Sequence, residues 1–195
     1  MENLDIKFNL PLEALEETQL SSTPIFDGKV LHVRLDEVTL PNGVLSTREY
    51  CHHNGAVCVI PLTDEGEVIC VRQYRYPFHE DLLEIPAGKL DSPEEDPNDA
   101  VRRELREETG AVAKKMIYLG KYYPSPAILD ECIYMYLATG LDFGDTEFDD
   151  DEFIESVRVP LSKLVELTLE GKIRDGKTQI AVLRAQMMID RGLLG

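Results

Sequence analysis

The chain predicts an α+β fold: a mixed β-sheet with helices packed on it, preceded by a small N-terminal antiparallel sheet. Three observations carry the prediction. Short apolar runs bounded by turn residues fill the first half, a helix marked at both ends follows them over 97–109, and near-helical apolar spacing closes the chain. With 195 residues the chain buries a sizeable core. Residues 1–50 read as an N-terminal arm and small sheet, and residues 51–195 as the main domain.

Taken in order, residues 1–24 mix leucines with acids and end in Ser21-Ser22-Thr23-Pro24, which suggests an appended arm or short helix. From Ile25 to Tyr50, Val30, Val33, Leu35, Val38 and Leu40 precede a turn at Pro41-Asn42-Gly43, a hairpin signal. A sheet this small is barely stable alone. Ala56–Pro61 and Val68–Arg72 are apolar strands joined through Thr63-Asp64-Glu65-Gly66. After the loop at Gly88 and the marked helix come strands near Met116–Tyr122 and Glu131–Ala138, then a last strand at Val157–Val159. Leu161–Glu170 and Thr178–Arg191 read as helices, with Met187 and Met188 as core residues.

The marked helix carries the chemistry. Asp96 suits the N-cap, Pro97 the first helical position and Gly110 a left-handed C-terminal cap. Glu104, Glu107 and Glu108 stand at i, i+3 and i+4, on one face. An acidic helical face usually points to water. Here Ala100, Val101 and Leu105 fall in or beside the same arc, while Arg102 and Arg106 lie opposite, so the acids point toward protein. Carboxylates about 4 Å apart in a low effective dielectric repel by several kcal/mol and need a cation or a raised pKa. Their hard oxygens favour magnesium, manganese or calcium over zinc.

Composition narrows the partners. A net charge of −17 argues against a nucleic-acid backbone, whose phosphates need clustered lysine and arginine. A small phosphorylated substrate remains compatible, because bound cations and a few arginines reverse the local field. No apolar run approaches the roughly 20 residues that span a bilayer, and Met1-Glu2-Asn3-Leu4-Asp5 lacks a signal peptide's basic-then-apolar order, so a cytoplasmic protein is expected. Cys51, Cys58, Cys70 and Cys132 lack paired metal-ligand spacing and read as packing thiols. Cys51-His52-His53 on a strand points to alternate faces and is not read as a metal site.

The run Arg103-Glu104-Leu105-Arg106-Glu107-Glu108-Thr109-Gly110 resembles the end of the Nudix box, with every fixed position matched. Glu95 keeps the family's spacing to Arg103 but lies one residue too far from Gly88, which places an extra residue at Ser92-Pro93-Glu94, in a loop. Val71-Arg72-Gln73-Tyr74-Arg75-Tyr76-Pro77, Leu82-Leu83-Glu84-Ile85-Pro86-Ala87-Gly88-Lys89-Leu90-Asp91 and Tyr123-Pro124-Ser125-Pro126 resemble the family's ADP-ribose pyrophosphatase branch. Ala127 stands where that branch often has glycine, and Asp130-Glu131 supplies its next acid.

The resemblance implies a Nudix-like mixed sheet, a homodimer formed through the N-terminal sheet, and hydrolysis of a nucleoside diphosphate derivative. ADP-ribose is the first candidate, giving AMP and ribose 5-phosphate. It also implies Mg2+, or Mn2+, held by Glu104, Glu107, Glu108 and the carbonyl oxygen of Ala87, with Arg103 pairing a box glutamate such as Glu95. A late acidic loop is expected to supply the carboxylate that orients or deprotonates water: Glu152 first, then Asp150 and Glu155. Arg48, Arg75, Pro126 and Glu131 match the branch's substrate positions. For each arginine a surface ion pair is the competing reading. Rival functions are cleavage of another nucleotide sugar or dinucleotide, an ADP-ribose-binding module without activity, and a purely structural acidic protein. The intact glutamate set disfavours the second, and the glutamates' apolar neighbours disfavour the third.

Overall fold

A computed structural model of the chain describes residues 6–144 and 153–193. It divides into two compact units, Met1–His53 with Ser125–Asp130, and Asn54–Pro124 with Glu131–Gly195.

The first unit is an antiparallel sheet ordered β1-β2-β3, from β1 (Thr18–Asp27), β2 (His32–Thr39) and β3 (Leu45–His52). Here the expectation of an arm or short helix over residues 1–24 is corrected: residues 18–27 form an edge strand, and among the described residues before it only Leu12–Ala14 makes a 3₁₀ turn. Threonine and serine favour extended backbone, and Pro24 is accepted because it sits on an edge strand beside a register shift. Every residue of β1 is exposed. Its backbone ladder is reinforced by Gln19, which donates to Asp36 at 2.6 Å, and Ser21, which donates to Glu37 at 2.8 Å. The β2–β3 turn closes through Gly43, at φ 82°, where a side chain would be strained. Ser125–Asp130 is stitched to the end of β3: Cys51 N donates to Ile128 O at 2.9 Å and Asp130 N to Cys51 O at 3.3 Å.

The second unit contains β4 (Ala56–Pro61), β5 (Glu67–Arg75), β6 (Glu80–Glu84), β7 (Ala87–Lys89), α1 (Pro97–Thr109), β8 (Ala111–Tyr122), β9 (Ile133–Phe143), β10 (Ile154–Pro160), α2 (Leu161–Leu169) and α3 (Gly176–Asp190). One sheet is ordered β7-β4-β9-β8, with β4 and β9 parallel, and the other β10-β5-β6, all antiparallel. Every residue of β4 is buried, because both faces are covered. Val57 and Val59 join Ala100, Val101 and Leu105 of α1 in one apolar cluster. Cys58 and Ile60 join a second cluster with Leu164 of α2 and Val182 of α3. The helices therefore lie on opposite faces of β4, and β7 beside it receives the glutamate face of α1.

Among the described residues, no helix is long and apolar enough to cross a membrane.

Candidate active site

Local physics sets α1. The Asp96 carboxylate accepts from Asn98 N at 2.8 Å, and Gly110 closes the helix at φ 67° with its N–H on Arg106 O. Ala100, Val101 and Leu105 are buried, which turns Glu108 inward to 4% exposure and leaves Arg102 and Arg106 outside. Glu104 and Glu107 are partly covered at the border.

The acids meet the β7 backbone. Glu108 Oε2 accepts from Ala87 N at 3.2 Å. The Glu104 carboxyl lies so close to Gly88 that a Cβ there would stand 1.9 Å from Glu104 Cδ. Only glycine admits this approach. On the helix's other side, Ser156 Oγ donates to Glu108 O at 2.9 Å, tying α1 to β10.

Arg103 gathers the acids. Its Nη1 donates to Glu104 Oε1 at 2.6 Å and Glu107 Oε2 at 3.3 Å, and its Nη2 lies 3.4 Å from Glu95 Oε1 and 3.7 Å from Asp91 Oδ1. Nη2 also donates to Lys89 O at 3.3 Å. Partial burial lowers its pKa, but the charge and hydrogen bond of Glu104, with Asp91 and Glu95, outweigh that and hold it above the ordinary value. Glu95 Oε2 in turn accepts from Asp91 N at 2.6 Å, so this loop is clasped to α1. Glu94 N donates to Ser92 Oγ at 3.3 Å and Glu95 N to Ser92 O at 3.2 Å, closing a tight turn at Ser92-Pro93-Glu94.

The donor set of Glu104, Glu107, Glu108 and the Ala87 carbonyl is all hard oxygen and fits a magnesium-class cation. Among the described residues, no group of three acidic, histidine or cysteine side chains is arranged to hold a metal ion.

The remaining candidates belong to both units. In the second unit Arg75 donates from Nε and Nη2 to Glu84 Oε1 and Oε2, both at 2.6 Å. That hydrogen bond raises the Arg75 pKa against a burial penalty, helped by the charges of Glu84, Asp175 and Glu108. Glu131 belongs to the same unit. In the first unit Arg48 Nε donates to Glu17 Oε2 at 2.8 Å and Nη1 to Thr47 O at 2.8 Å, while Pro126 lies in the turn after Ser125. Asp130 is occupied there: it accepts from His53 N at 2.7 Å and pairs His52 Nδ1 at 2.6 Å. Of the late acids, Glu152 and Asp150 lie outside the described residues, and Glu155 pairs Arg72 at 3.3 Å.

Sequence reasoning passed over Glu84 and Lys177. Glu84 is 1% exposed and ion-pairs Lys177 as well as Arg75. Burial acts to raise its pKa, but hydrogen bonds from Arg75 and Lys177 and the charge of Lys177 outweigh it and hold it below the ordinary value. Glu84 stood only within the segment that resembles the family branch, and no local pattern marked its ion pairs.

An acidic helix gripping a glycine strand through an arginine defines a class: the NUDIX domain family matches residues 52–180, and the chain belongs to it, a Nudix hydrolase. Residues 17–50 match the nucleoside diphosphate sugar hydrolase N-terminal domain. Among individual proteins, the chain is 40% identical over 178 residues to the ADP-ribose pyrophosphatase of Bacillus subtilis (strain 168), covering 90% of this chain and 96% of the relative. It is also 40% identical over 174 residues to the methanol dehydrogenase activator of Bacillus methanolicus, covering 88% and 94%. A crystal structure of an ADP compounds hydrolase superposes with a TM-score of 0.79 at 22% identity, over 91% of this chain and 96% of the other, a likeness of fold.

Proposed function

We propose that the chain hydrolyses the diphosphate of ADP-ribose to AMP and ribose 5-phosphate, using Mg2+ first and Mn2+ second. The observation that carries the reading is the packing of Glu104 and Glu108 against the Ala87–Gly88 backbone, with Glu107 joined to Glu104 through Arg103. ADP-ribose is preferred because relatives of that activity align along most of the chain.

The obstacle is charge, since water must approach a phosphorus ringed by anionic oxygens. A divalent cation supplies charge neutralisation and a more acidic bound water. Glu104, Glu107, Glu108 and the Ala87 carbonyl oxygen are the residues that would hold it. Arg103 orients the helix acids and the Glu95 loop. Arg48, Arg75, Pro126 and Glu131 are assigned to the substrate. Glu152 is assigned to orient the attacking water or take its proton as a P–O bond of the bridge breaks. Glu107 shares the catalytic cluster through its link to Arg103.

The test is incubation with Mg2+ and ADP-ribose, ADP-glucose, NADH and diadenosine polyphosphates, with products identified by chromatography. Preferential release of AMP from ADP-ribose is expected. Faster turnover of another compound favours the second reading, cleavage of a different nucleotide sugar or dinucleotide, which Ala127 supports by replacing a glycine in the substrate loop. Absence of turnover on every compound would overturn both.

The homodimer is also part of this reading. Leu20, Ile25, Phe26 and Leu45 are each exposed in the first unit's strands, apolar side chains for a second copy to cover. Light scattering is expected to give twice the chain mass, and a monomeric mass at micromolar concentration rejects the dimer.

A further inference from the structure

Among the described residues, Arg75 is held along one edge. Its Nε and Nη2 grip the two oxygens of Glu84, and among the described residues Nη1 makes no hydrogen bond. A guanidinium has five N–H donors in a planar fork, so a side-on pair leaves the Nη1–Nη2 edge open for a second bidentate partner. The Arg75 side chain is 40% exposed, whereas that of Glu84 is 2%. The pair therefore has a buried anchor and an accessible outer edge.

The anchor is itself fixed from α3. Glu84 Oε2 takes an ion pair from Lys177, which also lies 3.0 Å from Asp175 Oδ1. Asp175 caps α3 by accepting from Thr178 N at 2.9 Å, and Thr178 Oγ1 donates to it at 2.5 Å while accepting from Ile85 N at 2.9 Å. One helix start thus holds the Glu84 carboxylate and the backbone that leads into Ala87. Buried ion pairs are often no more stable than apolar replacements, so this network is better explained by the geometry it imposes than by stability.

We propose that Lys177 is a positioning residue for the substrate diphosphate: acting through Glu84, it sets the Arg75 guanidinium so that the outer edge receives a phosphate. This inference rests on the diphosphatase reading above. Its substrate chemistry is that of the phosphate group, the planar fork matching two phosphate oxygens as it matches two carboxylate oxygens.

A double-mutant cycle tests it, read on equilibrium binding of ADP with Mg2+ by calorimetry and on KM and kcat for ADP-ribose. Arg75→Ala is expected to weaken ADP binding by about 10- to 100-fold, the range of a charge-assisted hydrogen bond. Lys177→Met is expected to weaken it about fivefold in the wild-type background and less than about twofold in the Arg75→Ala background, because contacting groups are non-additive. KM follows the same pattern, with kcat nearly unchanged. Lys177→Arg keeps a cation for Glu84 and should keep affinity within about twofold. Where Lys177→Met does not fold, Lys177→Gln replaces it in the same cycle. Equal losses in both backgrounds, or no loss in either, would overturn the proposal. The ADP arm keeps the two readings separable: wild-type protein that binds ADP without cleaving ADP-ribose refutes the diphosphatase reading and still tests the Lys177–Arg75 coupling.

Discussion

Glu108→Gln is expected to lower kcat for ADP-ribose by about 1,000-fold while leaving the fold intact. Glu108 is 4% exposed, and its Oε2 accepts from Ala87 N at 3.2 Å. Glutamine has nearly the same volume and keeps an amide oxygen for that bond, so packing in the α1 cluster survives. The substitution removes one full negative charge from the oxygen set assigned to the cation. Metal-assisted charge stabilisation is worth several kcal/mol, and about 4 kcal/mol corresponds to roughly 1,000-fold in rate. Steady-state kinetics at saturating Mg2+, with Mn2+ titrated by electron paramagnetic resonance, separates lost turnover from lost metal. Near-normal turnover with an unchanged melting curve would remove Glu108 from the metal assignment.

A smaller loss is expected from Gly88→Ala, for a different reason. The added methyl carbon would stand 1.9 Å from Glu104 Cδ and 2.0 Å from Oε1, distances that no Cβ tolerates. Gly88 pairs with Val57 in the β7–β4 ladder, so its backbone does not move away cheaply. The Glu104 carboxylate is the end of a flexible side chain and yields instead. A displacement of about 1 Å in a catalytic constellation costs roughly 100-fold, and that is the expected fall in kcat/KM. The melting temperature should change little, since nothing in the apolar clusters is touched. Wild-type kcat/KM in this variant would show that Glu104 need not occupy its present position for catalysis.

Both predictions concern residues whose proximity was partly legible in the chain. The helix was readable because its signals are local: Asp96, Pro97 and Gly110 lie at its ends, and the spacing of Glu104, Glu107 and Glu108 fixes a face through helical geometry alone. Strand β1 was not readable. Its residues are all exposed, so the apolar alternation that betrays a buried strand is missing, and its ladder exists only because β2 lies alongside. Of the adjacent acids Asp130 and Glu131, the resemblance named Glu131, while no local pattern showed that the return of residues 125–130 to β3 engages Asp130.

By itself, then, the sequence determined the class of chemistry: a helix bearing three inward carboxylates after a glycine, with the oxygen donors of a hard-cation phosphate enzyme. The resemblance already implied that Arg103 pairs a box glutamate such as Glu95, and helical spacing brings Glu107 to it at i+4. Tertiary structure alone brought Asp91 Oδ1 to 3.7 Å from Arg103 and Lys177 to Glu84 across 93 positions of chain. Capping and periodicity act over one or two helical turns and are written in neighbouring residues. Ion pairs between distant segments follow from the path of the whole backbone, which no local pattern encodes.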